Sequence, residues 1–153
     1  MVREALHTLK FGGCRPLARP LGELLAGVGP MLPGSRPDLL VPVPLHPRRE
    51  RERGFNQAEL LAAAAGRVWG VPVRSRVLVR RLATRAQSDL AAGDRRANVR
   101  GAFALALPEL VAGRHVVVVD DILTTGATVE ECATSLRRGG ARPVGVVTVA
   151  RAL

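Results

Sequence analysis

Short apolar runs separated by glycine, proline and charged residues predict a chain of alternating strands and helices. The clearest runs, Val116–Val119 and Val144–Val149, are apolar on both faces, as buried parallel strands are. We predict strands over Arg114–Asp120 and Pro143–Ala150 and a helix over Thr125–Arg138 between them. A strand, a helix and a strand in this order make a βαβ unit with a parallel pair, so the predicted fold class is α/β.

The first half of the chain has weaker patterns. A compact apolar run predicts the first core strand over Leu39–Val43, and the charged segment Pro44–Arg53 after it is predicted to be a loop. A helix is predicted over Phe55–Trp69, with a buried stripe of Leu60, Leu61, Ala64 and Val68. The other predicted segments are short helices in Met1–Leu32, a turn-rich linker over Gly29–Pro37, strands over Arg76–Val79 and Ala102–Leu107, and a functional loop over Arg80–Val99.

The positive charge of the chain indicates a negatively charged partner or ligand. The net charge is +10, and the segment 74–100 carries eight Arg against two Asp, a net +6. This excess suits a nucleic-acid partner or a polyphosphate ligand, although a biased genome composition also raises Arg content. The chain has no Tyr, three Phe and one Trp, which argues against a platform on which bases stack.

The length, the cysteine spacing and the apolar runs of the chain predict its domain number, its metal binding and its location. A length of 153 residues suits a single domain. Cys14 and Cys132 lie far apart and lack metal-binding spacing, so we expect reduced thiols and no zinc site. Because there is no signal peptide and no apolar run long enough to span a bilayer, we expect a cytoplasmic protein without membrane insertion.

The candidate site follows the strand of four valines. Asp120 and Asp121 come at its carboxyl end, where α/β sheets bind ligands. Thr124, Thr125, Gly126, Ala127 and Thr128 follow as the helix opens, and its free N–H groups can hold a phosphate. Two carboxylates beside a phosphate require a ligand that also offers hydroxyl groups, as ribose does. Simple helix capping would need only one such residue, and neither GK[ST] nor GxGxxG is present.

The run VVVVDDILTTGAT (Val116–Thr128) resembles the motif of type I phosphoribosyltransferases that binds phosphoribosyl pyrophosphate (PRPP). Together with three further segments it resembles the ComF family, which belongs to that superfamily and is associated with competence and DNA uptake. Those segments are VPVPLHPRRERERGFNQAELLA (Val41–Ala62), RRLATRAQSDLAAGDRRANVRGAF (Arg80–Phe103) and VTVAR (Val147–Arg151). The resemblance implies a mostly parallel sheet flanked by helices. It also implies an N-terminal helical hood over residues 1–36 and a phosphoribosyltransferase-like core over 37–153, in one compact domain. Many relatives begin with a Cys-rich zinc ribbon, which we expect this chain to lack.

The resemblance also implies roles for residues. Asp120 and Asp121 would hold the ribose hydroxyls, and Thr124–Thr128 the 5′-phosphate, with Mg²⁺ held mainly by PRPP rather than by side chains. Pro44, Leu45 and His46 would form the pyrophosphate loop, and Arg80, Arg81, Gln87, Arg95 and Arg96 would belong to a flap over the site.

Two functions fit these residues. One is an active phosphoribosyltransferase that acts on a nitrogen acceptor; the other is a non-catalytic competence factor that binds single-stranded DNA or partner proteins. Among the histidines, His46 is the best placed to act as a base, although a histidine beside proline in a loop is more often only a surface residue. The segment RGFNQ (Arg53–Gln57) has no assigned chemistry, because a capped helix start and a ligand contact explain it equally well.

Overall fold

The computed structural model describes residues 1–29, 34, 36–82 and 97–152. Its helices are α1 (Val2–Phe11), α2 (Ala18–Ala26), α3 (Pro47–Arg53), α4 (Gln57–Trp69) and α5 (Ala127–Arg138). Its strands are β1 (Leu39–Pro42), β2 (Leu78–Arg80), β3 (Phe103–Leu105), β4 (Val116–Leu123) and β5 (Val144–Arg151). Short 3-10 helices cover Arg15–Leu17 and Pro108–Leu110.

A parallel sheet in the order β1-β4-β5 forms the centre of the fold. The segment β4-α5-β5 is the predicted βαβ unit, which is confirmed. Apolar clusters cover both faces of β4, which explains its four consecutive valines; all four valines have 0% exposure. Strands β2 and β3 pair antiparallel in a separate two-stranded sheet.

Successive side chains of β4 enter two different apolar clusters, as the alternation of a strand requires. Val116 and Val118 pack with α5 and with the β2-β3 pair. Val117 and Val119 pack with α1, α2 and α4 on the opposite face. The N-terminal helices therefore belong to the same packed structure as the sheet.

The predicted loop over Pro44–Arg53 is wrong in its second part, where the structure has α3. Pro47 occupies the first turn, where its missing N–H is not needed. His46 Nδ1 accepts a hydrogen bond from the Arg48 N–H at 3.2 Å, and Arg48 pairs with Glu52 four residues on at 3.0 Å. The alternation of Arg and Glu that looked like a solvated loop is therefore the pairing pattern of a short helix.

Two burial predictions also fail. In α4 the predicted Leu61 and Ala64 are buried, but Leu60 is half-buried and Val68 is 59% exposed. The other buried positions of this helix are Gln57, Ala58, Ala62, Ala65 and Gly66. The run Val144–Val149 is not buried on both faces, because β5 lies at the edge of the described sheet; only Val147 in β5 is buried. Among the helices that the structure describes, none is long and apolar enough to cross a membrane.

Candidate functional site

A cleft of about 710 Å³ lies at the carboxyl ends of β1 and β4. Strands β1 and β4 are parallel neighbours, so the residues that follow each strand meet at the same edge of the sheet. The described residues that line this cleft include the predicted Asp120, Asp121, Thr124, Gly126, Thr128, Leu45 and Arg80. The same cleft is lined by residues for which the sequence predicted no role, namely Lys10, Phe11, Arg49, Arg53 and Gln57.

The acidic pair lies within β4 rather than after it, because the strand continues to Leu123. Asp120 Oδ1 accepts the N–H of Asp121 at 2.9 Å, and Asp121 Oδ1 accepts the N–H of Ile122 at 2.9 Å. Asp121 is 5% exposed, and its Oδ2, which has no hydrogen-bond partner among the described residues, lies 3.8 Å from Lys10 Nζ. A buried acceptor oxygen beside a cleft is suited to a ligand hydroxyl.

The pKa of Asp120 is raised well above its ordinary value of 3.8. Burial is the main cause, and the neighbouring charge of Asp121 adds to it. Lys10 acts in the opposite direction and lowers this pKa. Ionisation of Asp120 therefore carries a cost that a hydroxyl donor or a cation in the cleft would reduce.

The Thr- and Gly-containing loop leads from β4 into α5. Gly126, the N-cap residue of α5, has φ of 82°, a left-handed conformation that glycine adopts readily. Thr125 Oγ1 accepts the Ala127 N–H at 3.4 Å, so this hydroxyl faces the helix start, and neither Thr125 nor Ala127 lines the cleft. Thr124, Gly126 and Thr128 line the cleft, so the N-terminus of α5 borders it, and a helix N-terminus carries partial positive charge that favours an anion.

The residues predicted as a pyrophosphate loop are separated by the structure. Leu45 lines the cleft, whereas Pro44 and His46 are not among the lining residues. The imidazole of His46 caps α3 and is thereby engaged in local structure.

The predicted flap is only partly described. Arg80 belongs to β2 and pairs with Phe103 of β3, so the loop predicted to start there begins later in the chain. Its guanidinium lies 5.3 Å from the centre of the Phe103 ring and lines the cleft. Arg81 is exposed and its N–H donates to the Ala102 carbonyl at 2.8 Å. Gln87, Arg95 and Arg96 lie outside the described residues.

The segment RGFNQ connects α3 to α4. Asn56 is a structural residue: its Oδ1 caps α4 through the Ala58 N–H, and its Nδ2 donates to the Val43 carbonyl, both at 3.0 Å. Gln57 is 4% exposed, lines the cleft, and accepts a hydrogen bond from Arg53 at 2.5 Å. The structure thus confirms a helix cap at Asn56 and places Gln57 in the wall of the cleft.

Comparison with known proteins identifies the family. "DNA utilization protein YhgH" of Escherichia coli K12 is 41% identical over 154 residues, which cover 97% of this chain and 66% of that protein. "Competence protein F" of Haemophilus influenzae is 38% identical over 117 residues, 76% of this chain and 51% of that protein. Residues 67–153 match the family described as "Phosphoribosyl transferase domain". The chain belongs to the ComF family of phosphoribosyltransferase-type proteins. This ComF-family chain spans about two thirds of the length of the E. coli relative.

Solved structures support the fold. The ComF-family chain superposes on a structure described as the allosteric regulatory enzyme of purine biosynthesis with a TM-score of 0.58 and 22% identity, covering 87% of this chain and 26% of that one. Adenine phosphoribosyltransferase from Thermoanaerobacter pseudethanolicus gives a TM-score of 0.54 and 14% identity, covering 92% and 83%. The predicted type I phosphoribosyltransferase fold is confirmed.

Proposed function

We propose that this protein binds PRPP, or a nucleotide that contains ribose 5-phosphate, and transfers the phosphoribosyl group to a nitrogen acceptor. The observation that carries the proposal is one cleft that contains both the acidic pair and the start of α5. Asp120 and Asp121 accept hydrogen bonds from the ribose hydroxyls. The loop from Thr124 to Thr128 and the first N–H groups of α5 hold the 5′-phosphate. The family and the fold support a phosphoribosyl ligand.

In this reaction the bond between C1 of ribose and pyrophosphate breaks, and a bond from the acceptor nitrogen to C1 forms. Positive charge develops on the ribose ring as pyrophosphate leaves with its electron pair. The carboxylates of Asp120 and Asp121 are placed to stabilise that charge from the hydroxyl side. Arg80, which lines the same cleft, can stabilise the negative charge on the leaving group.

Mg²⁺ fits this site as an ion that arrives with the ligand. The described residues contain no group of three His, Cys, Asp or Glu side chains that could form a metal cage, and the cleft offers the acidic pair. Mg²⁺ is commonly held by one or two carboxylates together with substrate phosphates and water. Bound in this way, it would neutralise charge on the pyrophosphate.

The test is a calorimetric titration of PRPP with Mg²⁺ into the wild type and into Asp120→Asn/Asp121→Asn. Losing two charged hydrogen-bond acceptors should weaken binding by about a hundredfold or more. Glu23→Gln/Glu109→Gln is the charge-matched control, because both side chains are exposed and neither lines the cleft. Equal affinity in the acidic-pair variant and the wild type would refute the assigned ribose contacts. Pyrophosphate release from PRPP with a panel of bases and amines then tests transfer.

The second candidate is a non-catalytic competence factor that binds single-stranded DNA. The net charge of +10 favours it, and relatives carry the names "DNA utilization protein" and "Competence protein". Binding through phosphates would fall steeply as salt increases. Fluorescence anisotropy with labelled single strands over a salt series tests this, and an affinity independent of salt would exclude contact through phosphates.

A further inference from the structure

Four arginines lie at the edge of the sheet opposite the cleft. Arg114 precedes β4 and Arg142 precedes β5, so both lie at the amino ends of these parallel strands. Arg137 and Arg138 are the last two residues of α5, which begins after the carboxyl end of β4 and leads back to the amino end of β5. All four are exposed and none lines the cleft. We call these four residues the amino-edge arginines.

Backbone hydrogen bonds hold the segments that carry these arginines against one another. The Arg142 N–H donates to the Arg114 carbonyl at 2.9 Å. The Gly140 N–H donates to the Arg137 carbonyl at 2.9 Å, and the Gly113 N–H donates to the Gly140 carbonyl at 2.8 Å. The two glycines have φ of 71° and 89°, in the left-handed region that favours glycine, so the turns depend on them. Hydrogen-bonded backbone therefore brings the four arginines to one corner of the molecule.

The charge of this corner is not neutralised within the part of the chain that the structure describes. No ion pair joins an amino-edge arginine to an acid there. Asp38, the acid at the amino end of β1, accepts the His115 N–H at 2.8 Å. The partial negative charge at the end of α5 favours the two arginines of its last turn, but the other two lie outside the helix. Like charges held together in this way favour a ligand with several negative charges.

A polymer of phosphates suits this surface better than a small phosphate ligand does. Single exposed ion pairs contribute little, so tight binding requires a ligand that contacts several guanidinium groups at once. Guanidinium groups match the oxygens of phosphates. The aromatic residues of the chain lie elsewhere: Phe11 and Phe55 line the cleft, Phe103 contacts Arg80, and Trp69 contacts α2. Binding at this corner should therefore depend on phosphates rather than on stacked bases.

We propose that the amino-edge arginines bind the phosphate backbone of single-stranded DNA. A flexible single strand can follow a corner built from three segments, whereas a duplex, which is stiff over about 50 nm, contacts it at fewer points. The proposal rests on the second candidate function, DNA binding, and is independent of phosphoribosyl transfer. The 12 residues of α5 span about 18 Å between the cleft and this surface. Single-stranded DNA and PRPP can therefore bind at the same time.

The test is fluorescence anisotropy with a labelled strand of thymidines over a salt series. The variants Arg114→Gln/Arg142→Gln and Arg137→Gln/Arg138→Gln should each weaken binding by about tenfold at low salt. Because each variant loses two phosphate contacts, the slope of log K against log salt should become shallower by about 1.4. Binding of PRPP with Mg²⁺, measured by calorimetry, should equal that of wild type in both variants. Thermal unfolding checks that the variants are folded.

Arg48→Gln/Arg51→Gln is the matched control, because it removes the same charge from exposed residues of α3, at the other edge of the sheet and outside the cleft lining. This control should weaken DNA binding clearly less than either amino-edge variant. Equal weakening by the control would show that only the net charge matters and would overturn the proposal. A duplex that binds more tightly than the single strand would also overturn it.

Failure of this surface and failure of the second candidate function give different results. If wild type binds no single-stranded DNA, both are refuted. If wild type binds and the amino-edge variants bind equally tightly, DNA binding stands and only this surface is refuted. If the amino-edge variants lose both DNA and PRPP affinity, the arginines act on the structure as a whole and the proposal is refuted.

Discussion

At the scale of single residues, the site combines groups that are costly to bury. Asp120 and Asp121 are adjacent acids in the central strand, and each accepts a backbone N–H from the next residue. Lys10 is the nearby cation, at 3.8 Å from Asp121 Oδ2. Such an arrangement lowers the stability of the unliganded protein at the place where a ligand would bind.

The raised pKa of Asp120 predicts a pH-dependent stability difference. The pKa of Asp120 in the folded protein exceeds the ordinary 3.8. The contribution of Asp120 to the free energy of unfolding is therefore fully present below pH 3.8, and it is lost as the pH rises toward the folded-state pKa. Asp120→Asn does not ionise and keeps its hydrogen-bond acceptor, so it escapes this loss. The unfolding temperature of the variant should therefore exceed that of wild type increasingly above pH 3.8, until a plateau is reached.

Thermal unfolding monitored by circular dichroism from acidic to neutral pH, without ligand, measures this difference. Glu23→Gln serves as control, because Glu23 is exposed and lies outside the cleft. A variant that is less stable than wild type at neutral pH and equally stable in acid would contradict the expected sign.

At the scale of elements, close helix packing depends on small residues. Gly22 of α2 faces α4 so closely that an added Cβ would overlap the Cβ of Ala64 and lie 2.8 Å from the Leu61 carbonyl oxygen. Trp69 closes the far end of the same contact, where its Nε1 donates to the Ala26 carbonyl at 2.9 Å. The contact between α2 and α4 therefore combines close packing at Gly22 with a hydrogen bond at Trp69.

Gly22→Ala is expected to destabilise the protein although alanine favours helices. Overpacking costs about 1–3 kcal/mol, against a helix-propensity gain of about 1 kcal/mol. Urea unfolding measures the free energy of unfolding of the variant. Gly27→Ala, where an added Cβ meets only the Leu24 carbonyl oxygen at 3.2 Å, should cost less. A Gly22→Ala protein as stable as wild type would contradict the expectation, because it would show that overpacking between α2 and α4 costs no more than alanine gains in helix propensity.

Elements that have a clear local pattern in the sequence were predicted. Features that depend on the position of an element in the fold were missed. Four valines followed by two Asp and a Thr- and Gly-containing loop were enough to predict β4, the start of α5 and several residues that line the cleft. The burial of β5 was overestimated, because a run of valines does not reveal that its strand lies at an edge. Arg49 and Arg53 were missed since α3 was taken for a loop; their spacing of four residues was the signal that would have placed them on one face.

At the scale of the whole molecule, one sheet joins both apolar clusters. Leu25 in α2 and Leu136 in α5 are each buried, at 1% and 0% exposure, on opposite faces of that sheet. Helices from both ends of the described chain thus pack on the same sheet.

Leu25→Ala and Leu136→Ala should destabilise one and the same unfolding transition. Each should cost about 2–5 kcal/mol, and each kcal/mol should lower the transition temperature by about 2–4 °C in a chain of this size. Far-ultraviolet circular dichroism follows all elements, while fluorescence of the single tryptophan, Trp69, follows the contact of α2 with α4. Coincident curves are expected in both variants; a separate early transition in the fluorescence of Leu25→Ala would mean that the N-terminal segment unfolds alone.

The central place of β4 also has a consequence for biosynthesis. Its partner β1 is complete at residue 42, but β4 begins at residue 116 and β5 at residue 144. Until β4 has been synthesised, the apolar residues that pack against it have no partner. These residues include Leu40, Leu61 and the buried positions of α1 and α2. Long-range parallel pairing forms slowly, and uncovered apolar surface favours aggregation. The nascent chain should therefore depend on chaperones until most of it has emerged.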